Sequence, residues 1–321
     1  MRRKWRKIGV TLVGVVVVGT LMALWVMAGS MARPDRREIQ AYHKSYLDGA
    51  CDHGLVVARY DFVENAVPCL VVRPEAKAGA AKRGSVLRRQ LEDQGMVLPV
   101  YGEERGLLVL LHGRNGRKED LLPVAERFCA VGFICVIPDL SAHGESPVER
   151  VGFGVREFEK KLPSRVAEEA ERELGLGTLP RFLWGMSMGG SFAVYAAEDD
   201  PRGWEKSIVV ASFDRLGGVV EDSLGFFSRV LKPVAVKMIE MRGGPKVEEV
   251  APVELAERLT LPTLVIHGDE DDLISYERGE SFFAALGGRK KFVTVPGGSH
   301  DNVLVTEAPV YAEMARWLLG P

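Results

Sequence analysis

Short apolar runs recur along the chain from about residue 107 onward, each separated from the next by a stretch long enough for a helix. They lie at 107–111, 133–137, 181–184, 207–211, 264–266 and 291–295. A strand of consecutive apolar residues has no polar face to give to water, so it must be covered on both sides. Such runs alternate with helical stretches at 119–131 and 155–174 and with a helix opening near Ser187. That alternation predicts an α/β fold, a mostly parallel twisted sheet with helices on both faces. A chain of 321 residues is long enough to bury it.

The flanking segments are less regular. Residues 33–49 read as an amphipathic helix, with Ile39, Tyr42, Tyr46 and Leu47 on one face and Gly49 to end it. The stretches 55–63 and 68–72 read as paired strands. Residues 74–105 read as a surface excursion with a short helix near 86–91. Residues 213–258 are helical in pattern but fall between two core strands, where a cap over a site would be inserted. The expected organisation is therefore a basic start and apolar segment at 1–32, an N-terminal part of the α/β domain at 33–105, its core at 106–212 and 259–321, and a helical cap at 213–258.

The first segment carries its own signal. Arg2, Arg3, Lys4, Arg6 and Lys7 precede an uncharged stretch from residue 8 to residue 28. About 20 apolar residues cross a hydrocarbon core as a helix, whereas the apolar part of a cleaved signal peptide is roughly 7–15 residues long. A single-pass anchor is expected, its basic end in the cytoplasm and the rest of the chain across the membrane. Small residues at 28–32 leave the alternative of cleavage and secretion. The net charge is −2, and without those five cations the remainder stands at −7, a poor surface for nucleic acid. The four cysteines, 51, 69, 129 and 135, form no CxxC or zinc pattern; export would permit a disulfide, for which Cys51 and Cys69 are the better candidates.

The pentapeptide at 185–189, GMSMG, fits G-x-S-x-G. The glycines clear space where backbones approach, and the serine stands exposed at a sharp strand-to-helix turn. An apolar run precedes it and a small-residue helix follows, so Ser187 is the expected nucleophile. A hydroxyl needs a base to take its proton. Of the six histidines only His267 and His300 follow Ser187. His267 sits at a strand end leading into a carboxylate-rich loop, while His300 sits on a glycine-rich loop after the last run, so His300 is the expected base. Spacing alone leaves Asp269, Glu270, Asp271 and Asp272 open as the orienting acid, with Asp214 a less favoured substitute. The backbone N–H groups of Met188 and Arg114 are placed to receive an oxyanion, and His112 is expected to hold its loop.

These segments, LLVLLHGRNG, VIPDLSAHGES, FLWGMSMGGS, LPTLVIHGDEDDLIS and VPGGSHDN, resemble the α/β-hydrolase superfamily, in its small-cap branch of esterases, lipases and serine aminopeptidases, over residues 106–318. The resemblance implies the α/β-hydrolase fold and places the acid four residues after the histidine of HG-x-x-D, at Asp271. It also implies that Asp139, His143, Gly144 and Ser146 form a structural turn.

The expected activity is hydrolysis of a carboxylic ester or thioester through an acyl-serine. The alternatives are peptide or amide hydrolysis and a membrane-tethered binding protein without turnover. No dinucleotide fingerprint or P-loop is present, so no cofactor is expected, and HGDED reads as an acid loop rather than a metal site. In the cap, Phe226, Phe227, Val230, Leu231, Val234, Met238 and Met241 recur at steps of three and four. They either pack on the sheet edge above Ser187 or line an acyl pocket, with Phe226 and Met238 as walls for a lipid-derived chain.

Overall fold

A computed structural model describes residues 2–305 and 309–320. Pro321, the end of the expected core, lies outside the described residues, as do the side chains of Arg2, Arg3, Lys4, Arg6 and Lys7. The predicted sheet is present, with eight strands: β1 (Leu55–Asp61), β2 (Val67–Pro74), β3 (Gly106–Leu111), β4 (Phe133–Pro138), β5 (Arg181–Met186), β6 (Lys206–Val210), β7 (Thr263–Gly268) and β8 (Lys290–Val295). Their order is β1-β2-β4-β3-β5-β6-β7-β8. β2 pairs antiparallel with β1 and β4, and all other pairs are parallel.

Alternation along the central strands sends Leu107, Val109 and Leu111 into one core and Leu108 and Leu110 into the other. The chain passes from β3 to β4 on one side and returns to β5 on the other. Loops leaving β3 and β5 therefore diverge, and a crevice opens at their carboxyl ends, where ligands of open α/β sheets bind.

Helices α1 (Arg2–Ala32), α2 (Ala41–Asp48), the short turn α3 (Phe62–Asn65) and α4 (Lys82–Glu92) belong to the N-terminal part. α5 (Leu122–Cys129), α6 (Glu157–Leu174) and α7 (Met188–Asp199) connect core strands. α8 (Leu216–Leu224), α9 (Ser228–Met241) and α10 (Pro252–Ala256) lie between β6 and β7, and α11 (Tyr276–Ala285) and α12 (Val310–Leu319) complete the fold. The helix expected from residue 33 starts only at Ala41. Upstream of it, Arg36 donates to the carbonyls of Gly144 and Val148, and Arg37 donates to Asp120, which holds the segment extended over the domain. All four cysteines are free. Cys69 pairs with Tyr60, whereas Cys51 precedes the opposite end of the hairpin, where Leu55 pairs with Pro74. Five residue steps of strand, roughly 17 Å, separate those ends, well beyond the reach of a disulfide.

One buried ion cluster ties the segment after β3 to the loop after β4. Lys118 is fully buried; its Nζ donates to Asp139 Oδ2 at 2.6 Å and to Glu145 at 2.5 Å. Asp139 also accepts the N–H of Lys118 at 2.9 Å and of Glu145 at 2.8 Å. Burial alone would lower the Lys118 pKa, but the carboxylates outweigh it and hold the ammonium charged. Lys118→Met is expected to destabilise the domain by about 3–5 kcal/mol, because Asp139 is left buried without its cation. The measurement is the urea midpoint in detergent; an unchanged midpoint would remove this cluster from the stability argument.

Candidate active site

Ser187 stands between β5 and α7 with φ 53° and ψ −120°, a left-handed conformation unusual for a side-chain-bearing residue. Neighbouring bonds hold it there. Its N–H donates to the Val210 carbonyl at 2.8 Å, and its carbonyl accepts Ser212 Oγ at 2.8 Å and the Gly190 N–H at 2.9 Å. A side chain at Gly185 would run into the Gly189 carbonyl, and one at Gly189 into the Leu111 carbonyl. This is the close packing that the two motif glycines allow.

β7 and β8 bring the other two groups together. Their loops are tied: the Glu270 N–H donates to the Gly298 carbonyl at 3.0 Å, and the Gly297 N–H donates to Asp269 Oδ1 at 2.7 Å. Within this frame His300 Nδ1 lies 2.9 Å from Asp271 Oδ2. Asp271 Oδ1 accepts the N–H groups of Leu273 at 3.0 Å and Ile274 at 2.8 Å. Burial raises the Asp271 pKa, but its bonds with His267, His300 and Ile274 outweigh that and hold the carboxyl well below the usual range. The remaining carboxylates of the loop, Asp269, Glu270 and Asp272, are exposed. Asp214 is engaged elsewhere, by Arg278 at 3.1 Å and Ser281 at 3.3 Å. His267 is wholly buried, with Nε2 2.9 Å from the Ile274 carbonyl.

Ser187 and His300 line one cavity of about 620 Å³, within the usual range for small-molecule sites. No hydrogen bond joins Ser187 Oγ to His300 among the described residues; such contacts often tighten only when substrate is bound. The N–H groups of Met188, in the first helical turn, and Arg114 have no acceptor among the described residues, so both are available to an oxyanion. Gly113 lies against Ser187, and Arg114 lines the same cavity. His112 donates from Nδ1 to the Gly113 carbonyl at 2.8 Å and accepts the Leu140 N–H on Nε2 at 3.1 Å; burial lowers its pKa and keeps it neutral.

The cap residues sit differently from expectation. Neither Phe226 nor Met238 is in the cavity wall: Phe226 is 95% exposed, and Met238, on α9, is partly buried against the core. The apolar wall is instead built from Phe213, Leu216, Val220 and Ile274, together with Met27 and Met31 from α1. Periodicity identified a stripe on α9 but not its partner. Its buried residues, Ala235 and Ile239, join a core that includes Leu24 and Ala28 of α1.

A family model described as serine aminopeptidase, S33, matches residues 102–245 and 251–307. A thermostable monoacylglycerol lipase of Bacillus sp. (strain H-257) is 25% identical over 239 residues, which cover 67% of this chain and 91% of that protein. Among solved structures, an esterase of Pyrococcus furiosus superposes with a TM-score of 0.61 at 13% identity, covering 90% of this chain and 97% of its own. A structure described as a membrane phospholipase A and bacterial virulence factor superposes with a TM-score of 0.52 at 15% identity, covering 99% of this chain and 98% of its own. With well over half of its length matched by the family model, the chain belongs to the serine aminopeptidase S33 family of α/β-hydrolases.

Proposed function

We propose that this hydrolase cleaves carboxylic esters through an acyl-serine intermediate. Ser187 attacks the acyl carbon, His300 takes its proton and later returns it to the leaving alcohol, and Asp271 orients His300. The N–H groups of Arg114 and Met188 hold the oxyanion. The observation that carries this reading is the 2.9 Å His300–Asp271 bond beside the strained Ser187, at the rim of a largely apolar cavity. An apolar wall suits an acyl chain better than a polar peptide. Amide hydrolysis at a free amino terminus is the second reading. It is favoured by Asp301, an exposed carboxylate lining the cavity next to His300, which could face a substrate ammonium.

A fluorophosphonate probe and a substrate series separate the readings. Labelling at Ser187 with turnover of p-nitrophenyl esters is expected. Labelling with turnover of aminoacyl amides alone would favour the second reading, and absence of labelling would leave a protein without an activated serine.

We also infer that α1 is an uncleaved anchor. Its stretch Thr11–Ala32 is long and apolar enough to cross a membrane. Leu24, Ala28 and Ala32 are at most 4% exposed, so cleavage at 28–32 would strip a packed helix from the domain. An alkaline phosphatase reporter fused after Pro321 is expected to be active, with the basic end of α1 in the cytoplasm. An inactive reporter, or a mature protein starting near Arg33, would refute the anchor reading.

A further inference from the structure

The anchor helix does not stop short of the catalytic domain. Ala28 and Ala32 of α1 are 0% and 1% exposed. Gly29 leaves room for the Arg242 guanidinium, which also lies 4.7 Å from the centre of the Trp25 ring. Ala32 packs against Gly244. The last turn of α1 thus meets Arg242 and Gly244, the two residues that flank the turn just past the end of α9. Phe226 and Phe227, just before α9, and Val230 in its first turn are exposed. The helix end is also fastened to the loop that bears the oxyanion N–H: Arg114 donates to Ser30 Oγ at 3.2 Å. Met27 and Met31, one helical turn apart, then face the cavity that holds Ser187.

Length fixes where this places the cavity in a membrane. At ~1.5 Å per residue the uncharged stretch from 8 to 28 is about 32 Å long, against a hydrocarbon core of ~30 Å. If the core begins at Ile8, its far boundary falls near Ala28, between Met27 and Met31. Trp25, 42% exposed, then sits at the interface, where tryptophan is favoured. Val26, 66% exposed, faces the leaflet.

We propose that the last two turns of α1 form the outer wall of the acyl pocket, with Met27 and Met31 setting the acyl length accepted from lipid esters that enter beside the helix from the leaflet. The proposal rests on the ester reading above and specifies its substrate class. Methionine suits the position, because an unbranched, flexible side chain adapts to chains of different length. The anchor is on this account a specificity element as well as a tether.

The test uses the full-length enzyme in detergent micelles. Wild type, Met27→Trp, Met31→Trp, Met27→Ala and Met31→Ala are compared by the ratio of kcat/KM for p-nitrophenyl octanoate to that for the acetate. Val16→Trp, on the exposed upper part of α1, is the control. Wild type is expected to prefer octanoate. The tryptophan variants should lower the ratio at least tenfold, and the alanine variants should shift the optimum to longer chains; Val16→Trp should do neither. Fluorophosphonate labelling of Ser187 verifies that each variant is folded. If ester turnover persists and the tryptophan and alanine variants keep the wild-type ratio, or lower all esters in proportion, the pocket-wall proposal falls and the ester reading stands. If wild type labels but turns over no ester, the ester reading falls and takes this proposal with it.

Discussion

Ser187→Ala is expected to lower kcat for p-nitrophenyl esters by about 10⁴-fold or more, with the thermal midpoint nearly unchanged. The size follows from the role: without the oxygen there is no acyl-enzyme, and only binding and oxyanion stabilisation remain. The unchanged stability follows from the geometry. Ser187 Oγ makes no hydrogen bond among the described residues, whereas the N–H and carbonyl that hold the elbow belong to the backbone and survive the substitution. Alanine also keeps a Cβ at φ 53°, so the strain neither rises nor is relieved. Ser191, the next serine along, is no substitute nucleophile, because it is fully buried and donates to the Phe153 carbonyl at 2.7 Å. A variant that retained near-wild-type turnover would overturn the assignment of Ser187. Lost activity together with a collapsed midpoint would show that the serine holds the elbow, contrary to its lack of bonds.

What could be read from the chain, and what could not, follows from how each signal arises. The run at 107–111 corresponds to β3 (Gly106–Leu111), and that at 133–137 to β4 (Phe133–Pro138). A strand covered on both faces must be apolar along its whole length, and that requirement is local. The family resemblance pointed to Asp271, and in the fold the tied loops after β7 and β8 bring it to His300. The pocket wall was illegible for the opposite reason. Leu24, Met27, Ala28 and Met31 look the same in sequence whether they meet lipid or protein, and hydropathy does not distinguish the two. The division at residue 32 therefore treated as a tether a helix whose last turns pack on α9 and line the cavity. With α1 left out, the stripe on α9 could be matched only to the sheet edge above Ser187 or to an acyl pocket, and the second of these put Phe226 and Met238 in the cavity wall. The expected helix start at 33 failed on a related point, since Arg36 and Arg37 look solvated in sequence yet are spent on Gly144, Val148 and Asp120.

Asp271→Asn is expected to lower kcat by about 10⁴-fold with little change in KM. Asparagine has one acceptor oxygen where aspartate has two. On the Oδ1 side the site presents two N–H donors, from Leu273 at 3.0 Å and Ile274 at 2.8 Å, so the amide oxygen must stay there. The NH₂ group then faces His300 Nδ1, where the carboxylate accepted a bond at 2.9 Å. Nδ1 must become the acceptor, which moves the imidazole proton to Nε2, on the side of Ser187. That tautomer cannot take the serine proton, and the imidazolium it would have formed loses its counter-charge. Binding of the ground-state ester uses neither effect, hence the split between kcat and KM. Asp269→Asn should cost less than tenfold, because the amide oxygen can still accept the Gly297 N–H that Asp269 Oδ1 takes at 2.7 Å. Asp272→Asn should cost still less, since that side chain is exposed. Low ionic strength should enlarge neither of these smaller effects to the size of the first, because an exposed carboxylate acts on His300 only through screened space. A series in which Asp269→Asn is crippled while Asp271→Asn turns over normally would move the orienting role to Asp269, and the 2.9 Å bond would then be structural.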